Sequence, residues 1–315
     1  MKLNKAKIFL AGHKGLVGSA VYKLFKKNGF TNVIIISKKE LDLTNSTNVI
    51  NFLKKKKPSH VVICAAKVGG IKENFQKPAE FFYENSMIQN NIIHGSYLSG
   101  VKKLIFLGSS CIYPKFSNQP IDEKELLNGK LEITNQAYAI SKISGVEMCR
   151  SYNIQYGTNY KCLMPTNLYG PNDNYDLNES HFFAAAIRKI YDAKIKNKKS
   201  VKFWGTGNSK REAMFVDDLA EAILFFLDKN TNDYLINVGT GYEQKIKNFI
   251  KIISKMIDYK GKILFDQNKA LDGTPRKVVK ISLAKKHGWK SMYSFEDGLK
   301  ITLNDFIKNY KFYVK

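Results

Sequence analysis

A chain of 315 residues that is 44% hydrophobic and 12% aromatic can bury a sizeable core, in one large domain or two closely joined ones, which excludes a disordered tail or a disulfide-stapled miniprotein. The formal net charge of +24 comes from lysines scattered through every segment among abundant Asn and Ile, with no aromatic-basic recognition module, so it reads as a solvated surface and no nucleic-acid partner is expected. The four cysteines Cys64, Cys111, Cys149 and Cys162 show no C-x-x-C spacing and the five histidines do not cluster with them, so neither a disulfide framework nor a metal site is expected.

In chain order, the first apolar run is KIFLAG at 7–12, too short for a signal h-region. Nowhere do about 18 apolar residues follow one another, so a cytoplasmic protein with no membrane partner is expected. LVGSAVYKLFKKNG at 16–29 then has helical spacing and a terminal glycine. NVIIIS at 32–37 reads as a second strand, and TNSTNVINFLKKKKP at 44–58 as a helix capped by Thr44 or Ser46 and stopped before Pro58. HVVICAA at 60–66, KLIFLGSS at 103–110 and YKCLMPTN at 160–167 continue the alternation. Continuous rather than alternating apolar runs suit strands buried on both faces of a parallel sheet. The expected fold is therefore α/β: a Rossmann-type doubly wound parallel sheet over residues 1–170, with later segments returning to it. Beyond 171 the pattern thins to helices mixed with short strands such as YLINVG and KILFD. A smaller α/β substrate-binding domain over 171–315, packed directly on the first, is expected there.

Between the first strand and its helix lies GHKGLVG, with Gly12, Gly15 and Gly18. A dinucleotide pyrophosphate needs close backbone approach and a helix N-terminus with free amides, and glycine permits both. His13, Lys14, Leu16 and Val17 complete that turn. At the end of the second strand, Ser37, Lys38 and Lys39 stand where an NAD enzyme would place a carboxylate. Basic groups there, with Lys14, suit a 2'-phosphate, so NADP is the expected cofactor. Further on, QAYAISKISG puts Tyr138 and Lys142 four residues apart on one helix face. An adjacent ammonium lowers a phenol's pKa toward neutrality. Ser109, at the mouth of the fourth strand, completes a Ser/Tyr/Lys set.

These three features in this order resemble the extended branch of the short-chain dehydrogenase/reductase family. The match narrows through AGHKGLVGSA, AAKVGGI, NIIHGSY, LGSSCIYPK, AYAISKISG, MPTNLYGPNDN, NVGTG and DGTPRK, and spans residues 7 to about 306. This set is similar to the bifunctional nucleotide-sugar 3,5-epimerase-4-reductases. The resemblance implies an NADPH-dependent conversion of GDP-4-keto-6-deoxy-D-mannose to GDP-L-fucose, with epimerisation at carbons 3 and 5 followed by reduction of the 4-keto group. It implies that Cys111 and His181 serve as the base and acid of epimerisation. A thiol of ordinary pKa about 8.5 becomes a competent base when a cation lowers it, and histidine titrates near neutrality. Ser109, Tyr138 and Lys142 are implied for reduction. Leu107, Gly108, Ser109, Ser110, Lys142, Pro165, Thr166, Asn167, Leu168 and His181 are implied to line the cofactor.

Lys189, Trp204, Arg211 and Asp272 match the positions that hold the GDP half of the substrate, while Arg276 has no assigned role. Lys189 stands where the family commonly has arginine, and Ala213, Met214 and Phe215 where it usually has Phe, Leu and His. Those departures are expected to loosen nucleotide affinity without touching the chemistry. A homodimer is implied, through helices around 76–99 and 136–156. Two other readings stand beside this one. The first is a related NADP-dependent sugar-nucleotide epimerase or reductase with another base or hexose. The second is a non-catalytic dinucleotide-binding scaffold that contacts nucleic acid, against which the complete set of Ser109, Cys111, Tyr138, Lys142 and His181 argues.

Overall fold

The apolar runs become strands because only a sheet covered on both faces can bury them. The computed structural model describes residues 3–268 and 273–314. The first part of the chain alternates β1 (Ile8–Ala11), α1 (Leu16–Lys27), β2 (Val33–Ile34), α2 (Ser46–Lys56), β3 (His60–Ile63), α3 (Ile71–Gln76), α4 (Pro78–Leu98), β4 (Lys103–Leu107), α5 (Gln136–Tyr156) and β5 (Asn159–Pro165). Then come β6 (Asn167–Tyr169), α6 (Phe182–Ile195), β7 (Ser200–Phe203), β8 (Lys210–Phe215), α7 (Val216–Asp228), β9 (Leu235–Val238), β10 (Glu243–Lys245) and α8 (Ile246–Ile257). The chain finishes with β11 (Lys262–Phe265), β12 (Arg276–Lys277), α9 (Ser282–Lys286), α10 (Phe295–Lys308) and α11 (Tyr310–Tyr313).

The main sheet is parallel throughout, in the order β2-β1-β3-β4-β5-β9. Successive side chains of each strand enter opposite cores. Ile8 and Leu10 pack with Val21 and Phe25 of α1 and Leu219 and Ile223 of α7. Phe9 and Ala11 pack with Leu53 of α2, Ile92 of α4 and Val146 of α5. Each of these side chains larger than alanine, fully buried, contributes roughly 1.5–3 kcal/mol relative to exposure. The strand order reverses between β1 and β3, which opens a crevice at the carboxyl ends of the strands. The glycine turn, the AAKVGGI loop, the LGSSCIYPK turn, the start of α5 and the end of β5 all lie at that end.

Two local expectations are corrected. The second strand is only Val33–Ile34, because its ladder stops at the Phe9 and Ile34 pair and Ser37 then spends its N–H on the Glu40 carboxylate. The cap of α2 is neither Thr44 nor Ser46 but Asn45, whose side-chain oxygen accepts the Asn48 N–H at 3.0 Å. Thr44 is unavailable, since its hydroxyl donates to Asp42 at 2.8 Å.

Beyond β5 the chain does not simply leave the first sheet. β9 pairs with β5, from Cys162 opposite Leu235 to Pro165 opposite Val238, and α7 packs on α1. A second sheet is centred on β8, which pairs antiparallel with β10 and parallel with β12 and β6. β7 and β11 form a separate parallel pair. The second sheet hangs on one buried carboxylate. Glu212, in β8, is fully buried and accepts from the backbone N–H groups of Thr240 (2.6 Å), Gly241 (2.7 Å) and Val279 (3.0 Å). Among the described residues no helix is long and apolar enough to cross a membrane.

Candidate active site

The glycine turn is shaped for a close ligand. Gly12 has φ +86°, and a Cβ there would sit 2.5 Å from the Ala65 nitrogen, so only glycine fits between β1 and the loop after β3. A Cβ on Gly18 would overlap the Gly12 carbonyl, so α1 could not start this close to the turn. Gly15 is the N-cap of α1 and has no side chain with which to cap it, which leaves the first amides of the helix, at Leu16 and Val17, directed at the crevice. His13 has its Nδ1 buried without a partner, and burial and then the Lys14 charge lower its pKa. Lys14 and Lys38 are exposed. Glu40 went unnoticed in the sequence. Its carboxylate turns back onto the Ser37 hydroxyl (2.6 Å), and that bond, with the Ser37 N–H and Lys14, lowers its pKa. A narrow glycine cradle, an unpartnered buried imidazole nitrogen and flanking lysines fit a phosphorylated dinucleotide.

The mouths of β4 and β5 form the next wall. Gly108 donates its N–H to the Leu163 carbonyl at 3.0 Å, and a Cβ there would run into Met164. Ser110 and Thr166 are buried, and Pro165 closes β5. Asn167 and Leu168 lead into β6, with the Asn167 amide donating to the Glu212 carbonyl at 2.9 Å. Across this mouth, α5 presents Tyr138 and Lys142 from one face. The Lys142 ammonium is buried, donates to the Leu107 carbonyl at 2.9 Å and lies 4.8 Å from the Phe106 ring centroid. Burial lowers its pKa to about 8.

The expectation that Lys142 lowers the Tyr138 pKa is corrected here. Burial, then the negative charge available to Cys111, push the phenol up, and only the Ser109 hydroxyl opposes them. Lys142 points past the ring toward Leu107, with its nitrogen 5.9 Å from the Tyr138 ring centroid. Tyr138 is therefore held as a neutral phenol, a form that can donate a proton.

Ser109 also accepts the Cys111 N–H at 3.2 Å, which fixes the short helical turn of residues 110–112. That turn carries Cys111 out of the core: its side chain is half-buried, whereas Cys149 and Cys162 are fully buried. Its sulfur accepts from Lys277 Nζ at 3.1 Å and from Asn135 Nδ2 at 3.2 Å. A small pocket opens beside it, lined by Ser110, Pro114, Asn135, Thr274 and Lys277. Cys64 is only partly covered, yet its enclosure pushes its pKa up to about 12.

His181 is the N-cap of α6 but makes no capping bond with its side chain, which leaves the imidazole free for other partners. His181 is exposed as a residue, so a ligand can reach its ring. Burial and then the Lys277 charge lower its pKa. Its segment is held from the AAKVGGI loop, where Gly70 donates to the Glu179 carbonyl at 2.9 Å.

The candidate nucleotide-binding residues separate. Lys189 lies 5.1 Å from the Trp204 ring centroid, and burial lowers its pKa. Trp204 is 59% exposed, so it is not buried as a core packing residue. Arg211 donates to the Thr274 carbonyl at 2.6 Å and contributes positive charge at Cys111. Arg276 is committed elsewhere, in a two-pronged pair with Glu243 at 2.8 and 2.6 Å. Asp272 lies outside the described residues. Ala213, Met214 and Phe215 are buried in the core, so these departures act on packing and not on nucleotide contacts as expected. Sequence reasoning missed Asn135, Glu212 and Lys277. Lys277 was legible only as the last letter of DGTPRK, in a chain where a lysine carries little information.

Comparison with known proteins adds an independent line. The NAD dependent epimerase/dehydratase family matches residues 8–239. "GDP-L-fucose synthase 1" of Arabidopsis thaliana is 46% identical over 98% of this chain and 95% of its own length. A GDP-6-OMe-4-keto-L-xylo-heptose reductase from C.jejuni superposes with TM-score 0.91 at 34% identity, covering 98% of this chain and 99% of that one. A gdp-l-fucose synthetase from Naegleria fowleri bound to NADP superposes with TM-score 0.89 at 27% identity, covering 96% and 93%.

Proposed function

Because the chain belongs to the NAD dependent epimerase/dehydratase family, we propose that it acts as a GDP-L-fucose synthase. It converts GDP-4-keto-6-deoxy-D-mannose to GDP-L-fucose with NADPH, and the near full-length identity to plant and bacterial GDP-L-fucose synthases supports that activity. The single observation that carries the reading within the molecule is the position of Cys111. A thiol that shares a cleft with the Ser109 and Tyr138 hydroxyls and a lysine ammonium is what epimerisation next to a ketone requires.

A 4-keto group acidifies the hydrogens on carbons 3 and 5, because the carbanion formed at either is an enolate. Cys111 removes a proton from carbon 3 and His181 returns one from the opposite face; once Cys111 has passed its proton to solvent and His181 has regained one from it, carbon 5 is inverted in the same way. Ser109 holds the carbonyl oxygen throughout, while Tyr138, kept protonated, donates to that oxygen on reduction. NADPH, when bound, supplies the hydride for carbon 4. The Gly12–Gly18 turn, Lys14, Lys38 and the residues from Pro165 to Leu168 hold it. Lys142 binds its ribose and fixes the β4 mouth through Leu107. Lys189, Trp204, Arg211 and Asp272 take the GDP portion. In this reading residues up to about 170 carry the cofactor and the later ones mainly the substrate, with β9 and α7 returning to the first sheet.

The deciding experiment incubates the protein with GDP-4-keto-6-deoxy-D-mannose and NADPH and identifies the sugar released. L-fucose is the expected product. A 4-reduced D-sugar, or no turnover, overturns the assignment, and in that case GDP-heptose 4-ketones are the next substrates to try, given the C.jejuni relative.

The reading includes a homodimer through α4 and α5. These helices are locked side by side, with Gln89 donating to the Ser141 carbonyl and the Ser144 hydroxyl, and His94 bonded to Tyr152 at 2.7 Å. Tyr97 stacks on Tyr156 at 4.1 Å, yet Phe82, Leu98 and Ile154 remain exposed on these two helices. Exposed apolar side chains on two packed helices support burial against a second copy. Ile154→Lys is expected to convert a dimeric light-scattering mass to a monomeric one. A monomeric mass for the unaltered protein rules the dimer out.

A further inference from the structure

We propose that Lys277, assisted by Asn135, is a positioning residue that holds Cys111 as a thiolate before substrate arrives. The inference rests on the reading of Cys111 as the epimerisation base and adds the group that makes it one. Lys277 Nζ stands 3.1 Å from the sulfur. An ammonium has no lone pair, so the sulfur must be the acceptor in that contact. Asn135 Nδ2 approaches the same sulfur at 3.2 Å, and a sulfur that already accepts from one side orients the amide with its nitrogen inward.

Asn135 supplies a second observation. It occupies the N-cap of the 21-residue helix α5, where asparagine ordinarily turns its oxygen onto a first-turn amide. Here it makes no capping bond, and its Oδ1 is buried without a partner. A residue that forgoes its local role at a site of convergence is a mark of function.

The charges facing the sulfur are asymmetric. Lys277 comes from β12 and Arg211 from β8, while α5 offers the neutral Tyr138; the His181 imidazole, at the N-cap of α6, feels the same Lys277 charge. Among the described residues that line the adjoining pocket, the one carboxylate, Glu132, is paired with Lys115 at 2.8 Å. Burial pushes the Cys111 thiol up, but the Lys277 charge, the Ser109 and Lys277 hydrogen bonds and Arg211 outweigh it, so its pKa is lowered. No local sequence signal joins these residues, because Lys277 lies 166 positions from Cys111.

The test is the pH dependence of iodoacetamide alkylation at Cys111, read by peptide mass spectrometry on the full chain without substrate or cofactor. Buried Cys149 and Cys162 serve as unreactive controls. Lys277→Met is expected to move the inflection up by about one pH unit or more, with a matching loss of rate below the new inflection. Lys277→Arg should restore most of the reactivity, which a merely structural role would not predict. An inflection in Lys277→Met equal to that of the unaltered protein overturns the inference. Should Lys277→Met not fold, Lys277→Gln and Asn135→Ala take its place under the same criterion. Because the assay needs no turnover, it is separable from the reading beneath it. If Cys111→Ser still exchanged solvent deuterium into the sugar, Cys111 would lose its role as base while the alkylation result stood.

Discussion

Cys111→Ser is expected to abolish incorporation of solvent deuterium at carbons 3 and 5 of the sugar while leaving NADPH binding intact. A general base of this kind typically contributes on the order of 10²–10⁴-fold, and a serine hydroxyl cannot be brought to its anionic form by one ammonium as a thiol can. The substitution removes no packing atom beyond the exchange of sulfur for oxygen. The Ser109 contact is to the backbone N–H of residue 111 and survives it. The measurement is mass spectrometry or NMR of the nucleotide sugar recovered from deuterated buffer without NADPH, beside a cofactor titration. Undiminished deuterium uptake would take Cys111 out of the mechanism.

The second large effect separates the two chemistries. Tyr138→Phe should lower NADPH oxidation by about 10²–10⁴-fold, since the developing alkoxide at carbon 4 loses its proton donor. Deuterium exchange at carbons 3 and 5 should continue, because the enolate needs Ser109, Cys111 and His181 but not the phenol. The ring itself is retained, and with it the edge contact to Phe81 at 6.3 Å, so the fold is not expected to suffer. Loss of exchange and reduction in equal measure would show that Tyr138 acts in both halves of the reaction, against the division of labour proposed.

What was legible in the sequence follows from how local each signal is. The parallel sheet announced itself because strands buried on both faces must be apolar at every position, as Phe9 and Leu10 illustrate by facing opposite cores. The glycine turn and the Tyr138 and Lys142 pair were legible because spacing within one turn of chain fixes their geometry. The orientation of Lys142 was not, since it depends on the Leu107 carbonyl of another element. Lys277 and Asn135 were invisible for the same reason: neither is unusual in a Lys- and Asn-rich chain until folding sets both beside one sulfur. Arg276, left without a role in the sequence, proves to be tied to Glu243 of another strand.

The buried Glu212 carboxylate has a mechanical consequence for the cleft. Its own strand carries Arg211, and Val279, one of its donors, lies two residues beyond Lys277. Both cations near the thiol are thus mounted on a common girder, riveted from behind by the amides of Thr240 and Gly241. Their spacing is set at a joint that never meets the sugar, so the cleft can admit and release its cargo without that wall losing its alignment.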